Sequence, residues 1–196
     1  MRILLIGATG TVGSAVASAL ASHDLILASQ SKSAEQVDIS EPASIRALLE
    51  RVGTVDAIVS AAGSAAWKPL TALGDEDFAF SVSNKLMGQV NLIRYGMASL
   101  RDGGSITVTS GHLAQHPMPS SGAVSLVNAG LEGFARAAAL EATRTIRVNV
   151  VSPPWVRETL LAMGKSGETG LPASSVAQAY VESVEGRGTG LVLTPK

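Results

Sequence analysis

Three glycines near the amino terminus have the spacing of a phosphate-binding turn. Gly7, Gly10 and Gly13 follow a short run of branched apolar residues and open a segment with helical character. Glycine lets the backbone turn sharply and lets a pyrophosphate come close, while the free N–H groups of the following helix face the anion. The alternative is a strand-to-helix turn that needs glycine only for packing. The pattern predicts a cradle for a dinucleotide at residues 7–13.

Apolar runs of strand length alternate with longer helical segments along the chain. They predict strands at 1–6, 25–29, 37–39, 55–60, 105–109, 146–151 and 190–193, with a turn at Gly103 and Gly104. Helices are predicted at 12–22, 40–51, 75–100, 121–143 and 173–185, the second capped by Ser40 with Pro42 in its first turn. We expect an α/β fold over residues 1–196: a single-domain, Rossmann-type, doubly wound parallel sheet with helices on both faces.

In such a sheet the carboxyl ends of all strands lie at one edge. The segments that follow strands are 7–13, 29–32, 61–63, 110–112 and 153–156. We expect them to gather along one crevice, where ligands bind in folds of this kind.

Composition excludes several classes of function. The chain has 196 residues, a net charge of −1 and 16% charged residues, which gives no reason to expect nucleic acid or a membrane surface as a partner. It has no cysteine, and its three histidines lack metal-ligand spacing, so no metal site is predicted. No apolar run approaches the span of a bilayer. We expect a cytoplasmic protein.

Several segments together resemble the short-chain dehydrogenase/reductase family over nearly the whole chain. They are the glycine turn at 7–13, Asp38-Ile39, Ala61-Ala62-Gly63, the helical stretch 131–141, the strand 146–151 leading to Pro153, and Thr189-Gly190. The resemblance implies that the Asp38 carboxylate meets the adenine amino group and that the strand ending near Pro153 leads to the nicotinamide. The chain is shorter than typical members, which implies a smaller substrate lid around residues 158–171.

The catalytic pattern of that family is altered in this sequence. The resemblance places Val124 at the position of the family's tyrosine, which exchanges a proton with the substrate oxygen, and Asn128 at that of its lysine. Gly111 takes the serine position, with Ser110 just before it. Lys85 takes the asparagine position, and Asn84 is one residue off. Because valine cannot donate a proton, the usual acid–base step cannot run in its usual form.

The lysine and asparagine positions are exchanged, which leaves another relay open. We hypothesise that Lys85 hydrogen-bonds Asn128 or the nicotinamide ribose; the alternative is an ordinary lysine reaching solvent. His112 and His116 lie in a loop expected to border the pocket, and histidine titrates in the useful range, although most loop histidines are surface residues. The candidate catalytic residues are therefore Lys85, Asn128, Ser110 and His112.

The segment after the second strand favours NADP over NAD. An NAD site usually carries a carboxylate there, whereas this chain has Gln30, Ser31 and Lys32, which would suit a 2′-phosphate. A solvated polar turn is the alternative. The full set of predicted cofactor contacts is Gly7, Thr9, Gly10, Thr11, Val12, Gly13, Gln30, Ser31, Lys32, Asp38, Ile39, Ala61, Ala62, Gly63, Pro153 and Val156.

Two further features bear on partners. Trp67 and Trp155 follow strand ends and should border the nicotinamide half, unless they merely cover apolar surface. Small residues throughout the helix predicted at 121–143 favour close packing against a second copy, hence a homodimer or homotetramer; burial within one chain would explain the same composition.

Two functions remain open on the sequence. One is an oxidoreductase that moves hydride between NADP(H) and a small carbonyl or alcohol with an altered proton relay. The other is a catalytically degenerate protein that binds the dinucleotide as a sensor or scaffold.

Overall fold

All 196 residues are described in the computed structural model. Seven strands form one parallel sheet in the order β3-β2-β1-β4-β5-β6-β7. The strands are β1 (Arg2–Ile6), β2 (Asp24–Ser29), β3 (Glu35–Gln36), β4 (Val55–Ser60), β5 (Leu100–Thr109), β6 (Arg147–Val151) and β7 (Val192–Leu193). The order reverses between β1 and β4, so the predicted doubly wound, Rossmann-type sheet is confirmed.

The helices cover both faces of the sheet. They are α1 (Thr11–Ala19), α2 (Pro42–Val52), α3 (Asp75–Ser81), α4 (Gly88–Gly96), α5 (Gly122–Glu141), α6 (Arg157–Ala162) and α7 (Ala173–Glu185). Apolar residues of α2, α4 and α5 form one buried core with the sheet, and those of α1 and α7 form the other. None of the helices is long and apolar enough to cross a bilayer.

Some predicted boundaries were wrong. The strand placed at 37–39 lies two residues earlier, at Glu35–Gln36. Ser40 does not cap α2, because its hydroxyl donates to Asp38 Oδ1 at 2.6 Å and the helix begins after Glu41 without a side-chain cap. The predicted turn at Gly103 and Gly104 is an irregularity within β5, where the register against β4 shifts.

The long helix predicted at 75–100 is divided. Between α3 and α4 the chain forms a π-helical segment, Val82–Met87, and a 3₁₀ turn at Met97–Ser99 follows α4. The π-helical segment carries Lys85. Such segments are rare and occur frequently at functional sites.

A buried amide fixes the end of β5 at the crevice. Gln89 on α4 donates from Nε2 to the Thr109 carbonyl at 2.8 Å and accepts the Thr109 N–H at 2.7 Å. Strand β5 is thereby held to α4, the helix that follows Lys85.

Candidate active site

The glycine turn has the close packing that its sequence predicts. Gly7 has φ of +84°, and a Cβ there would stand 2.8 Å from the Ala61 carbonyl carbon. A Cβ on Gly13 would stand 2.0 Å from the Gly7 carbonyl oxygen. Any side chain at either position would collide with backbone, so the turn requires glycine at both.

The first turn of α1 presents unpaired backbone donors. No side chain caps the helix at Gly10, and the N–H groups of Thr9, Thr11, Val12 and Gly13 have no acceptor within the protein. Thr9, Gly10 and Thr11 are exposed. Free N–H groups and the positive end of the helix dipole make this turn suited to a pyrophosphate.

A cavity of about 130 Å³ lies beside the glycine turn. Its lining residues are Ile6, Gly7, Ser29, Gln30, Val37, Asp38, Ile39, Ala62, Gly63, Ser64 and Asn84. The Asp38 carboxylate accepts the Ser40 hydroxyl at 2.6 Å and the Ser40 N–H at 2.9 Å, and Gln30 donates to its other oxygen at 3.1 Å. The Ser40 hydroxyl bond lowers the pKa of Asp38, so the group is ionised at neutral pH.

Ser31 and Lys32 lie outside this lining, on the exposed segment next to it. Only the Lys32 backbone makes a bond here, its N–H donating to Ser29 Oγ at 2.9 Å. The Lys32 ammonium has no ion-pair partner in the protein and can turn towards an anion at the edge of the cavity.

A second cavity of about 320 Å³ continues from the first. Ala62 and Gly63 line both cavities, so the two form one cleft along the carboxyl edge of the sheet. The second cavity is lined by Val12, Ala61, Ala62, Gly63, Lys85, Thr109, Ser110, Gly111, His112, Leu113, Val124, Asn128, Pro153, Pro154, Trp155, Val156 and Thr159.

Lys85 enters this second cavity without a partner. Its side chain packs close to Gly63 and makes no hydrogen bond or ion pair with the protein. Desolvation by the surrounding protein lowers the pKa of Lys85 to about 8. The amine can therefore exchange a proton near neutral pH.

Asn128 is brought to the same cavity, but it does not bond Lys85. Its Nδ2 donates to the Gly111 carbonyl at a long 3.4 Å, and its Oδ1 is buried with no partner. The direct hydrogen bond between Lys85 and Asn128 that the sequence offered as one possibility is absent. A buried acceptor without a partner is costly unless a ligand or water satisfies it.

The Ser110 hydroxyl is engaged away from the cleft. It donates to the buried Glu132 carboxylate at 2.8 Å, so its proton is not available to a substrate. Ser110 lines the cavity, but the structure gives no support to its expected catalytic use.

His112 lies at the rim with three other aromatic side chains. Its ring centroid is 6.2 Å from that of His116 and 6.5 Å from that of Trp155. Trp155 meets Trp67 edge to face with centroids 5.6 Å apart. Burial lowers the pKa of His112, so the imidazole is neutral at pH 7.

Neither tyrosine substitutes for the missing one. Tyr180 is fully buried under the sheet, where its hydroxyl lies 2.6 Å from Thr109 Oγ1. Tyr95 packs against Arg46 and Arg94 at another surface. Val124 lines the cavity at the expected position.

Two polar residues were left out of the candidate site: Asn84 at the cleft, and Glu132, which bonds the cavity-lining Ser110. Asn84 lines the first cavity and accepts the Ser64 N–H at 2.8 Å; its place beside Lys85 was the only signal. Nothing in the sequence indicated a role for Glu132, since a glutamate on an alanine-rich helix usually faces solvent. No group of three or more His, Cys, Asp or Glu side chains is placed to hold a metal ion.

The sheet and the glycine turn at its switch point define a Rossmann-type α/β protein with a ligand cleft at the strand ends. A family model described as enoyl-(acyl carrier protein) reductase matches residues 8–193. The chain belongs to the short-chain dehydrogenase/reductase family.

Solved structures of similar chains have the same fold. The protein lin1944 from Listeria innocua is 42% identical, with a TM-score of 0.95 over 99% of this chain and 98% of the other. A small-chain dehydrogenase in complex with NADPH is 26% identical, with a TM-score of 0.86 over 99% and 95% of the two chains.

Curated relatives are more distant. An uncharacterized oxidoreductase, C922.06, of Schizosaccharomyces pombe is 31% identical over 77% of this chain and 65% of its own length. A hydroxynaphthalene reductase-like protein, Arp2, of Metarhizium brunneum is 27% identical over 65% of this chain and 51% of its own. The chain thus spans about half to two thirds of the length of these curated relatives.

Proposed function

We propose that this chain is an NADP(H)-dependent oxidoreductase that acts on a small carbonyl or alcohol through a proton relay without tyrosine. The continuous cleft carries the proposal. It runs from Asp38 past the donors of α1 to Lys85 and Trp155, and its two cavities share Ala62 and Gly63. That arrangement fits an extended dinucleotide with its reactive end beside a titratable amine.

The residues present fit the dinucleotide. Asp38 and Ile39 would hold the adenine, the N–H groups of α1 the pyrophosphate, and Pro153 and Val156 would border the nicotinamide. Gln30, Ser31 and Lys32 favour a 2′-phosphate because no carboxylate occupies that segment. The relative solved with NADPH supports this preference. When bound, the cofactor supplies or accepts the hydride.

Lys85 is the better of the two candidate proton donors. Because its pKa is about 8, the Lys85 amine is mostly protonated at pH 7. Its ammonium form is nevertheless acidic enough to give the proton to a substrate oxygen. His112, whose pKa is lowered by burial, is neutral at that pH and suits the accepting role in the reverse direction. Asn128 would use its free Oδ1 to orient a hydroxyl of the ribose or substrate.

A dinucleotide-binding sensor or scaffold without turnover is the second candidate, favoured by Val124 in place of the tyrosine. It would work through a homodimer or homotetramer. Phe80 on α3 and Leu126 on α5 are 48% and 51% exposed, and apolar side chains of this size are often covered by a second copy.

A fluorescence titration tests both candidates. Trp155 lines the cleft and Trp67 packs against it, so NADPH should quench their emission and NADH should do so more weakly. A carbonyl panel that includes bicyclic ring ketones, in view of the hydroxynaphthalene reductase-like relatives, is then followed by NADPH absorbance. Binding with turnover supports the enzyme, and binding without turnover across the panel supports the sensor. Absence of binding contradicts both.

A further inference from the structure

Glu132 is a buried carboxylate with three neutral donors and no cation. The residue is 3% exposed. Its Oε1 accepts the Ser110 hydroxyl at 2.8 Å and the Ser152 hydroxyl at 3.0 Å, and its Oε2 accepts Gln115 Nε2 at 3.1 Å. An ionised carboxylate away from water is costly unless such bonds satisfy it.

The three donors belong to the two loops that form one side of the second cavity. Ser110 and Gln115 flank His112 after β5, and Ser152 directly precedes the loop after β6 that carries Trp155. The loops are also joined by backbone bonds, from the Ser110 N–H to the Val151 carbonyl at 2.9 Å and from the His112 N–H to the Pro153 carbonyl at 3.0 Å. One glutamate on α5 therefore ties both loops to the same helix.

Asn128 lies one helical turn before Glu132 and contacts the neighbouring residue of the first loop. Asn128 donates to the Gly111 carbonyl, while Glu132 accepts from Ser110. Residues four apart share a helix face, so α5 holds consecutive residues of the loop by two side chains. An apolar side chain would fill the same space without the cost of burying charge, so packing alone does not explain a carboxylate here.

We infer that Glu132 is a positioning residue: by tying Ser110, Ser152 and Gln115 to α5, it sets the place of His112 and Trp155 at the cleft. Its use in turnover rests on the proposed function, but its effect on the two loops does not. E132A removes every acceptor, whereas E132Q keeps a carbonyl for the two hydroxyls. Glu141, an exposed glutamate on the same helix with no hydrogen bond, provides the control E141A.

Two measurements follow the loops directly. The first is the pKa of His112, measured by NMR. His116 stacks on the His112 ring, and Lys85 lines the same cavity as His112. The second is Trp155 emission in a W67F background, which leaves one tryptophan. In E132A we expect the His112 pKa to rise towards its ordinary value, because the loop opens to water, and Trp155 emission to shift to the red.

NADPH affinity is the third measurement. Loss of a buried acceptor for two hydroxyls predicts roughly tenfold weaker binding in E132A, with E132Q nearer to the parent and E141A unchanged. If E132A does not fold, S152A, which removes one donor and keeps the carboxylate, is expected to move the first two measurements in the same direction. A lower melting temperature in E132A or S152A with unchanged His112 titration and Trp155 emission would overturn the inference.

The two proposals fail separately. If the parent protein binds no NADPH, the proposed function falls while the His112 and Trp155 measurements still test Glu132. If the parent binds NADPH and the folded variants leave both loop measurements at parent values, the proposed function stands and the role of Glu132 is refuted.

Discussion

Replacing Lys85 by methionine should make the protein more stable at pH 7 and weaker in NADPH binding. The amine has its pKa at about 8 in the fold, against 10.5 for an unperturbed lysine, so the folded state carries a poorly solvated charge at neutral pH. At about 1.4 kcal/mol per pKa unit, lowering the pKa from 10.5 to about 8 costs about 3.5 kcal/mol in full. Because the amine nitrogen keeps some contact with solvent, we expect K85M to gain about 2 kcal/mol.

The pH dependence follows from the direction of the shift. Between pH 8 and 10.5 the unfolded chain holds a proton on Lys85 that the folded chain has lost, so parent stability rises with pH across that window. Methionine removes this titration. The stability advantage of K85M should therefore be greatest below pH 8 and vanish by about pH 10.5.

Urea unfolding of both proteins at pH 7, 8, 9 and 10 measures the effect. Other groups that titrate at high pH affect both proteins equally, so their contributions cancel in the difference between the two unfolding free energies. K32M, which replaces an exposed lysine, is the control and should match the parent in stability. Equal stabilities of parent and K85M at every pH would refute the desolvated amine. Unchanged NADPH affinity in K85M would show that Lys85 does not contact the cofactor.

Three other predictions concern the cleft and its support. G13A should abolish NADPH binding and lower the melting temperature, because its Cβ would meet the Gly7 carbonyl oxygen at 2.0 Å; binding at parent affinity would contradict the close turn. Y180F loses the buried hydrogen bond to Thr109 and should lower the free energy of urea unfolding by about 1 kcal/mol. Its NADPH affinity should stay at the parent value, and a loss of affinity would show that the tyrosine serves the site. K32A should weaken NADPH binding about tenfold and leave NADH binding unchanged in fluorescence titrations, since a 2′-phosphate bond to a charged donor is worth ~1.5 kcal/mol; an equal loss for both cofactors would argue against phosphate recognition.

Local chemistry explains what the sequence could predict. Gly7 and Gly13 report their own turn, because only glycine fits a backbone that passes so close to itself. The alternation of strands and helices places residues 61–63 and 153–156 at the same edge without any knowledge of side-chain contacts.

Contacts across the fold explain what it could not. The Lys85–Asn128 bond, one of two alternatives that the sequence left open, is absent, and Lys85 lies on a π-helical segment, Val82–Met87, that no residue type predicts. Ser40 had the identity of a helix cap, but the Asp38 carboxylate, only two residues away, took its hydroxyl. The role of Glu132 could not be predicted from the sequence, because it depends on two hydroxyls twenty or more residues away. Ser110 and Ser152 both donate to Glu132 Oε1 in the folded chain.

The tryptophan pair at the rim gives the cleft its own optical signal. Two indoles whose centroids lie 5.6 Å apart and whose planes cross at 63° share their electronic excitations, and non-parallel coupled transitions produce a paired circular-dichroism band in the ultraviolet. Trp67 and Trp155 come from loops after different strands, so the band reports the gap between those loops. Any ligand that separates the loops would erase it, without a label and without turnover.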